Sequence, residues 1–518
     1  MSHPSTYPAP AETARTAILE MLTVAAPVVT AMTSYTLMNF TDRFLGSRLG
    51  PDPVYVGAQG NGGLASWVPI SIAHGGLTII NTYVAQNVGA GRPERGPAYA
   101  WNGIWVALLY WLFVLVPYGF ALPWIFKVAG LEARQAELAT EFGQILVFGS
   151  ILTLCTRSLS QFFFGMQRGS VIMVAGVTAN IFNLFASATL AYGNGPTPDF
   201  GGSWLGVIMQ HFAAAAHATA AALHIAPQGV AGSAYGTVLA TLLELGIPLL
   251  VFLGPKFNRL YATRAAWRWS VAHLRDIARL GWPGGLMFGN EMICWGYFMV
   301  HLVSRFGKEH ATAGWIAHSY MSLSFMPAVG ISFAATALVG KYQGAQRSDL
   351  AQKRAWLATG LAVTYTCLCG VCFVIFREPM INLFVPGDAT EETRAQVVRL
   401  GSQFLIATAA FQFFDGMAMV MSGALRGAGD TVFPGVATVG LSWVVIVGGG
   451  EAMVHFAPGL ESLGPWIAAA SYIVLLCVFL LARFLTGRWK AIKVVKDRAP
   501  DLALEPMSAA AGTTDGIM

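Results

Sequence analysis

Long apolar runs, each closed by a short polar segment, recur from one end of the chain to the other. A membrane-crossing helix needs about 20 mostly apolar residues. Twelve runs qualify: 18–46, 55–87, 98–126, 138–166, 170–193, 229–254, 276–304, 312–341, 355–377, 394–425, 431–456 and 463–486. None alternates apolar with polar residues, so helices are predicted and a closed barrel of strands is not. Pro27, Pro69, Pro283 and Pro327 fall inside runs, where each removes a backbone hydrogen bond and is expected to bend its helix.

The pattern is written twice. Val84-Ala-Gln-Asn-Val-Gly-Ala-Gly-Arg92 is similar to Val339-Gly-Lys-Tyr-Gln-Gly-Ala-Gln-Arg347, 255 residues later, and each is followed by a tryptophan, Trp101 and Trp356. Pro69 and Pro327 are 258 apart, and so are Phe164-Gly-Met-Gln-Arg-Gly169 and Ser422-Gly-Ala-Leu-Arg-Gly427. Six spans per repeat is an even number, so both halves insert the same way up, related by an axis along the membrane normal. The expectation is an all-α, polytopic membrane protein with 12 transmembrane helices in two pseudo-symmetric six-helix lobes. Its parts are an N-terminal segment over 1–17, an N-lobe over 18–254, a linker over 255–275, a C-lobe over 276–486 and a tail over 487–518. Repeats of this kind place a substrate site between halves that rock around it.

Composition agrees: the 518 residues are 55% hydrophobic and 11% charged, with mean hydropathy +0.57, where soluble domains carry about 25% charged residues. The 57 glycines suit closely packed membrane helices. The net charge of +5 comes from basic residues in short loops and does not imply a nucleic-acid partner. Those residues choose the orientation. The two ends and the connections on their side hold 21 Lys and Arg, against 8 on the other side. Both termini are therefore expected in the cytoplasm of a bacterial cell, with the chain in the inner membrane. The first apolar run is too long for a cleavable signal and reads as an anchor that stays. Cys155, Cys294, Cys367, Cys369, Cys372 and Cys477 all lie in apolar runs and read as small hydrophobes, with no disulfide and no metal site.

Ionisable groups inside such runs cost roughly 2.5–3.5 kcal/mol on insertion scales and mark bundle interiors or water-filled paths. Glu291 lies 12 residues after Arg279 and 14 before Arg305, near mid-membrane, and Asp415 lies 11 before Arg426. Both belong to the second half, so one site can hold both. Two close carboxylates resist joint ionisation unless a cation sits between them, so the pair can exchange Na⁺ or H⁺ for a cationic substrate. Asp42 is shallower, beside Arg43, where a local ion pair competes with a coupling role. Arg157, deep in the fourth run, needs a buried partner and reads as a structural ion pair or a carbonyl contact. His211, His217 and His224 lie in the outer connection 194–228, read as an alanine-rich surface helix rather than zinc ligands. Tyr35, Trp67, Tyr83, Trp295 and Tyr297 are aromatics able to face a cationic drug. The sequence has no G-x-x-x-x-G-K-[ST] loop, nucleophile triad or metal motif, so neither ATP drive, an enzyme nor a cofactor is expected.

At these residues the chain resembles the multidrug and toxic compound extrusion (MATE) family, from about Ala26 to Leu485. The motifs are Thr-Asp-Arg-Phe-Leu-Gly-Ser-Arg-Leu-Gly (41–50), Val-Ala-Gln-Asn-Val-Gly-Ala-Gly (84–91), Gly-Trp-Pro before Glu291, Phe-Met-Pro-Ala-Val-Gly (325–330) and Gly-Ala-Leu-Arg-Gly-Ala-Gly-Asp-Thr (423–431). The NorM-like branch is most similar: it carries a Glu eight residues after the seventh-span proline, an Asp eight before the Gly-Ala-Leu-Arg-Gly run and a fourth-span Arg before an Asn, matched by Glu291, Asp415, Arg157 and Asn180. The resemblance implies coupling-ion roles for Glu291, Asp415 and Asp42, and a polar N-lobe site at Asn180 and Asn183. Two positions depart. Ser187 stands where some branches hold an N-lobe Asp, and Phe411 where the NorM-like branch often has a tyrosine.

The expected function is secondary-active export of organic cations against Na⁺ or H⁺ by alternating access, from a monomer whose other partner is membrane lipid. A flippase for a lipid-linked precursor and a non-transporting receptor or scaffold are the alternatives. The first would line its cavity with Arg or Lys to hold a pyrophosphate, whereas the deep charges are mostly acidic. Duplicated lobes and core acids speak against the second.

Overall fold

The computed structural model describes residues 14–46, 49, 54–198, 204–385 and 390–495. All of its regular elements are helical. In the first half they are α1 (Ala14–Gly46), α2 (Val54–Gly76), α3 (Ile79–Gly89), α4 (Gly96–Tyr110), α5 (Val116–Val128), α6 (Ala133–Gly165), α7 (Gly169–Tyr192), α8 (Trp204–Ala222) and α9 (Gly229–Leu253). A short α10 (Pro255–Tyr261) opens the linker. The second half holds α11 (Val271–Tyr297), α12 (Lys308–Gly344), α13 (Ser348–Ile375), α14 (Arg377–Asn382), α15 (Glu391–Ala428), α16 (Val432–Leu441), α17 (Gly449–Phe456) and α18 (Leu463–Leu485).

Among the described residues eleven helical stretches are long and apolar enough to cross a membrane. The predicted seventh span is α11, whose first turns carry His273, Arg275, Asp276 and Arg279 before the apolar part begins. Ser270 caps that helix, its hydroxyl oxygen accepting from the His273 backbone N–H at 3.5 Å. All four interior prolines sit within unbroken helices. The interruptions lie elsewhere. The second span divides at Leu77 and Thr78, where the Thr78 hydroxyl donates to the Gly75 carbonyl at 2.6 Å. Wider π-helical turns occupy Trp111–Leu115, Phe298–Val303 and Ser442–Gly448.

Within the first half, α6 packs on α2, α4, α5 and α9, and α7 packs on α1, α8 and α9. Within the second, α15 packs on α12, α13, α14 and α18. Between halves, α1 lies on α12, α2 lies on α11, and α3 lies on α12. The backbones come closest at the ends of α3 and α12. A Cβ at Gly89 would collide with the Lys341 carbonyl, and one at Gly344 with that of Gln86. Side chains of α3 then reach across: Gln86 Nε2 donates to the Gly427 carbonyl at 2.9 Å and Thr82 Oγ1 to the Arg426 carbonyl at 2.9 Å. The halves are thus closed together at the end carrying the basic loops near Arg92 and Arg347.

Beside them, Glu20 of α1 takes an ion pair from Lys341 at 2.9 Å and one from Arg354 at 2.6 Å, plus a hydrogen bond from the Tyr342 hydroxyl. Lys341 and Arg354 are both buried. At the matching place 256 residues on, Asp276 of α11 accepts from the Tyr99 hydroxyl at 3.2 Å, and its backbone carbonyl from Tyr83 at 3.1 Å. The sequence reading treated Lys341 and Arg354 as loop charges; both are interior partners of Glu20.

Candidate functional site

Glu291 stands on α11 and Asp415 on α15, both half-buried in the second half. They lie within each other's electrostatic reach, and neither has a hydrogen bond or ion pair among the described residues. Tyr472 of α18, 7% exposed, lies within electrostatic reach of both carboxylates. Phe411, the position where the resemblance leads one to expect a tyrosine, is buried in the core. Polar groups continue along α11: Asn290 Nδ2 donates to Ser442 Oγ at 2.8 Å, and Trp443 Nε1 donates to Asn290 Oδ1 at 2.7 Å. Across the lobe, Gln412 Nε2 donates to Ser324 Oγ at 2.9 Å.

The first half holds a different set. Asn180 of α7 donates to the Ser34 hydroxyl. Asn183 is buried and its Oδ1 accepts from Ser187 at 3.2 Å. The Asp42 side chain lies outside the described residues, although α1 runs past it. Reading the deep acids as confined to the second half needs correction. Glu244 of α9 is 8% exposed and accepts from the Tyr35 hydroxyl of α1. It was overlooked although a lone acid stands in the apolar run 229–254, the same signal that marked Glu291.

Arg157 of α6 is 6% exposed. Its Nε donates to the His74 carbonyl at 3.4 Å, and its guanidinium lies 4.8 Å from the Phe333 ring centre, across the boundary between halves. Arg426, counted in a loop by the sequence reading, sits on the last turn of α15 and turns inward to the same ring, at 5.9 Å from its centre. The connection 194–228 does form a helix, α8, but it packs on α7 through Met209, Ala213 and Ala216. Among the described residues no cluster of His, Cys, Asp and Glu is arranged to hold a metal ion.

The MatE family model matches residues 27–189 and again residues 288–449. The chain belongs to the MATE family. The paired match is the duplication seen in the sequence, and it explains what resemblance alone misses. Each match ends before the sixth span of its lobe, so Glu244 and Tyr472 lie outside both. Among relatives, the probable multidrug resistance protein NorM of Mesorhizobium japonicum is 26% identical over 490 residues, covering 92% of this chain and 95% of that one. The probable multidrug resistance protein NorM of Thermotoga maritima is 26% identical over 81% of this chain and 82% of its own. A crystal structure of a MATE in complex with MaL6 superposes with TM-score 0.77 at 19% identity, covering 93% of this chain and all of that one. A eukaryotic MATE transporter superposes with TM-score 0.74 at 15% identity, covering 92% and 97%. The fold of this MATE protein is therefore that of a multi-pass membrane transporter.

Proposed function

We propose that this MATE protein is a secondary-active multidrug efflux antiporter that exports organic cations in exchange for Na⁺ or H⁺, with Glu291 and Asp415 as its ion site. The carrying observation is that these two neighbouring carboxylates have no ion pair and no hydrogen bond among the described residues, the nearest cationic influence on Glu291 being the longer-range field of Arg426. Carboxylates left this way in a membrane interior are stabilised by protonation or by a bound cation. Coordination by oxygen suits Na⁺, and the Tyr472 hydroxyl adds a neutral oxygen to the two carboxylates. An inward ion gradient then displaces a cationic drug held by the same charges, because both compete for one negative site. The NorM names of its relatives support the multidrug reading.

In this proposal Asp42 takes a lesser coupling-ion role beside the Glu291 and Asp415 pair, Asn180 and Asn183 form a polar site of the first half, and Arg157 is structural. The chain works as a monomer in a bacterial inner membrane, with both termini cytoplasmic and lobes spanning 18–254 and 276–486 around the 255–275 linker. Competition tests it. Na⁺ or H⁺ is expected to displace a bound cationic drug from the wild type, and Asp415→Asn to abolish that displacement. Displacement that persists in Asp415→Asn but disappears in Asp42→Asn would move the ion site to the first half.

A further inference from the structure

Two arginines meet at the boundary between halves with N–H groups left over. Arg157 has an interior Nη2 without a hydrogen-bond acceptor among the described residues, and Arg426 has an interior Nε and Nη1 without one. What they do touch is weak or neutral: a carbonyl and a serine oxygen, each at 3.4 Å, and the Phe333 ring. The carboxylate whose charge acts on Arg426 is Glu291, and no hydrogen bond or ion pair joins them.

A small cavity opens at Arg426, with room for about one water-sized particle. Thr78 and Thr82 line it from the first half, and Phe333, Thr336 and Thr431 from the second. Three of these threonines spend their hydroxyl hydrogens on backbone carbonyls. Thr431 Oγ1, interior and without a partner, does not. Arg426, with its Nε and Nη1 unspent, and Thr431, with its hydroxyl unspent, thus both line the cavity, and the Arg157 guanidinium lies over the Phe333 ring that also lines it. Burying two like charges in low dielectric with no counter-charge in contact is costly, and a cation has no place there.

We propose that this cavity is an anion site, taking a monatomic anion of the chloride class. Its size excludes phosphate and carboxylate ligands. The anion receives N–H bonds from Arg426 and an O–H bond from Thr431, and offsets the field of Arg157. Because Thr78 and Thr82 come from one half and Arg426 and Thr431 from the other, the site is complete only while the halves are closed at this end. A bound anion therefore stabilises this closed arrangement by mass action. The inference is independent of the proposed cation coupling, and its test reads binding rather than efflux.

The full-length protein in detergent or nanodiscs is titrated with sodium chloride against sodium gluconate at constant ionic strength, which holds general screening fixed. The melting temperature is expected to rise and saturate with chloride. Arg426→Gln is expected to abolish the rise, and Thr431→Val, which keeps the shape and removes the hydroxyl, to raise the half-saturating concentration several-fold. Crystals of the wild type grown in bromide are expected to show an anomalous peak between Arg426 and Thr431. Either an unsaturable chloride response, an unchanged response in both variants, or a bromide peak confined to other places would overturn the site. The bromide measurement uses the wild type, so it decides the matter even where Arg426→Gln does not fold.

Discussion

At the scale of single residues the two halves solve the same placement differently. Counting from the paired prolines, Tyr35 stands eight residues after Pro27 as Glu291 stands eight after Pro283. Counting from the Gly-x-x-Arg-Gly landmarks, Arg157 corresponds to Asp415. The first half accordingly sets a tyrosine and an arginine where the second sets two acids, and its own acid, Glu244, comes from the sixth span and is already held by Tyr35. That contrast predicts different mutant behaviour. Glu291→Gln and Asp415→Asn are each expected to abolish ion-coupled drug efflux in vesicles while expression stays near wild type, since each removes charge from a site without partners. Wild-type efflux by either folded variant would remove the ion site. Tyr472→Phe deletes one hydroxyl, worth about 1 kcal/mol as a hydrogen bond, and is expected to weaken ion competition by roughly fivefold rather than abolish it. Glu244→Gln keeps an acceptor for the Tyr35 hydroxyl, so drug displacement by Na⁺ or H⁺ is expected to survive. Its loss there would place coupling in the first half.

At the scale of elements, the spans were legible because apolar runs of bilayer length leave few alternatives to a helix. Their breaks were not. The prolines drew attention, yet Pro27, Pro69, Pro283 and Pro327 sit in unbroken helices, while the interruption at Thr78 and the π-helical turn at Ser442–Gly448 carry no proline. Membrane helices tolerate proline because neighbours and side-chain hydroxyls satisfy what it frees. Charge was half legible: Lys341, Arg354 and Arg426 counted toward orientation, yet all three point into the protein. Removing them from the 21 leaves 18 against 8, so the proposed orientation keeps its sign. It predicts that a single Cys near Ala265 reacts with a membrane-impermeant reagent only from the cytoplasm, and one near Leu223 only from outside, on a Cys-free background. Reaction of both from the cytoplasm would invert the assignment. Partners across spans were illegible in principle. Nothing in the spacing of α15 says that Asp415 comes within electrostatic reach of Tyr472 on α18.

At the scale of the whole molecule, two clasps hold the halves together at the end with the basic loops, and they occupy one place in the repeat. Glu20 and Asp276 are 256 residues apart, and their partners Tyr99 and Arg354 are 255 apart. Each reaches from the first helix of its own half to the other half. They differ in chemistry. Glu20 neutralises two buried cations, whereas the Asp276 carboxylate takes one hydrogen bond, from Tyr99, which an amide oxygen accepts nearly as well, and Tyr83 bonds the Asp276 backbone carbonyl. In the proposed alternating-access cycle this end has to open, so the clasps set its cost. Breaking a buried ion pair by removing one partner costs about 3–5 kcal/mol. Glu20 is partly exposed, so about 2–3 kcal/mol is the appropriate scale, a factor of roughly 30–150 in the closed-to-open ratio. Glu20→Gln is therefore expected to shift the population toward opening at this end, and Asp276→Asn to shift it much less. Spin labels at Glu94 and Asp349, exposed beside the two loops, report it as a distance distribution. In Glu20→Gln the longer component grows at the expense of the shorter. An unchanged distribution in that variant, with the wild type populating both states, would mean that the closed end is held by backbone packing at Gly89 and Gly344 alone. In that case Gly89→Ala, whose added methyl meets the Lys341 carbonyl, is the substitution that opens it.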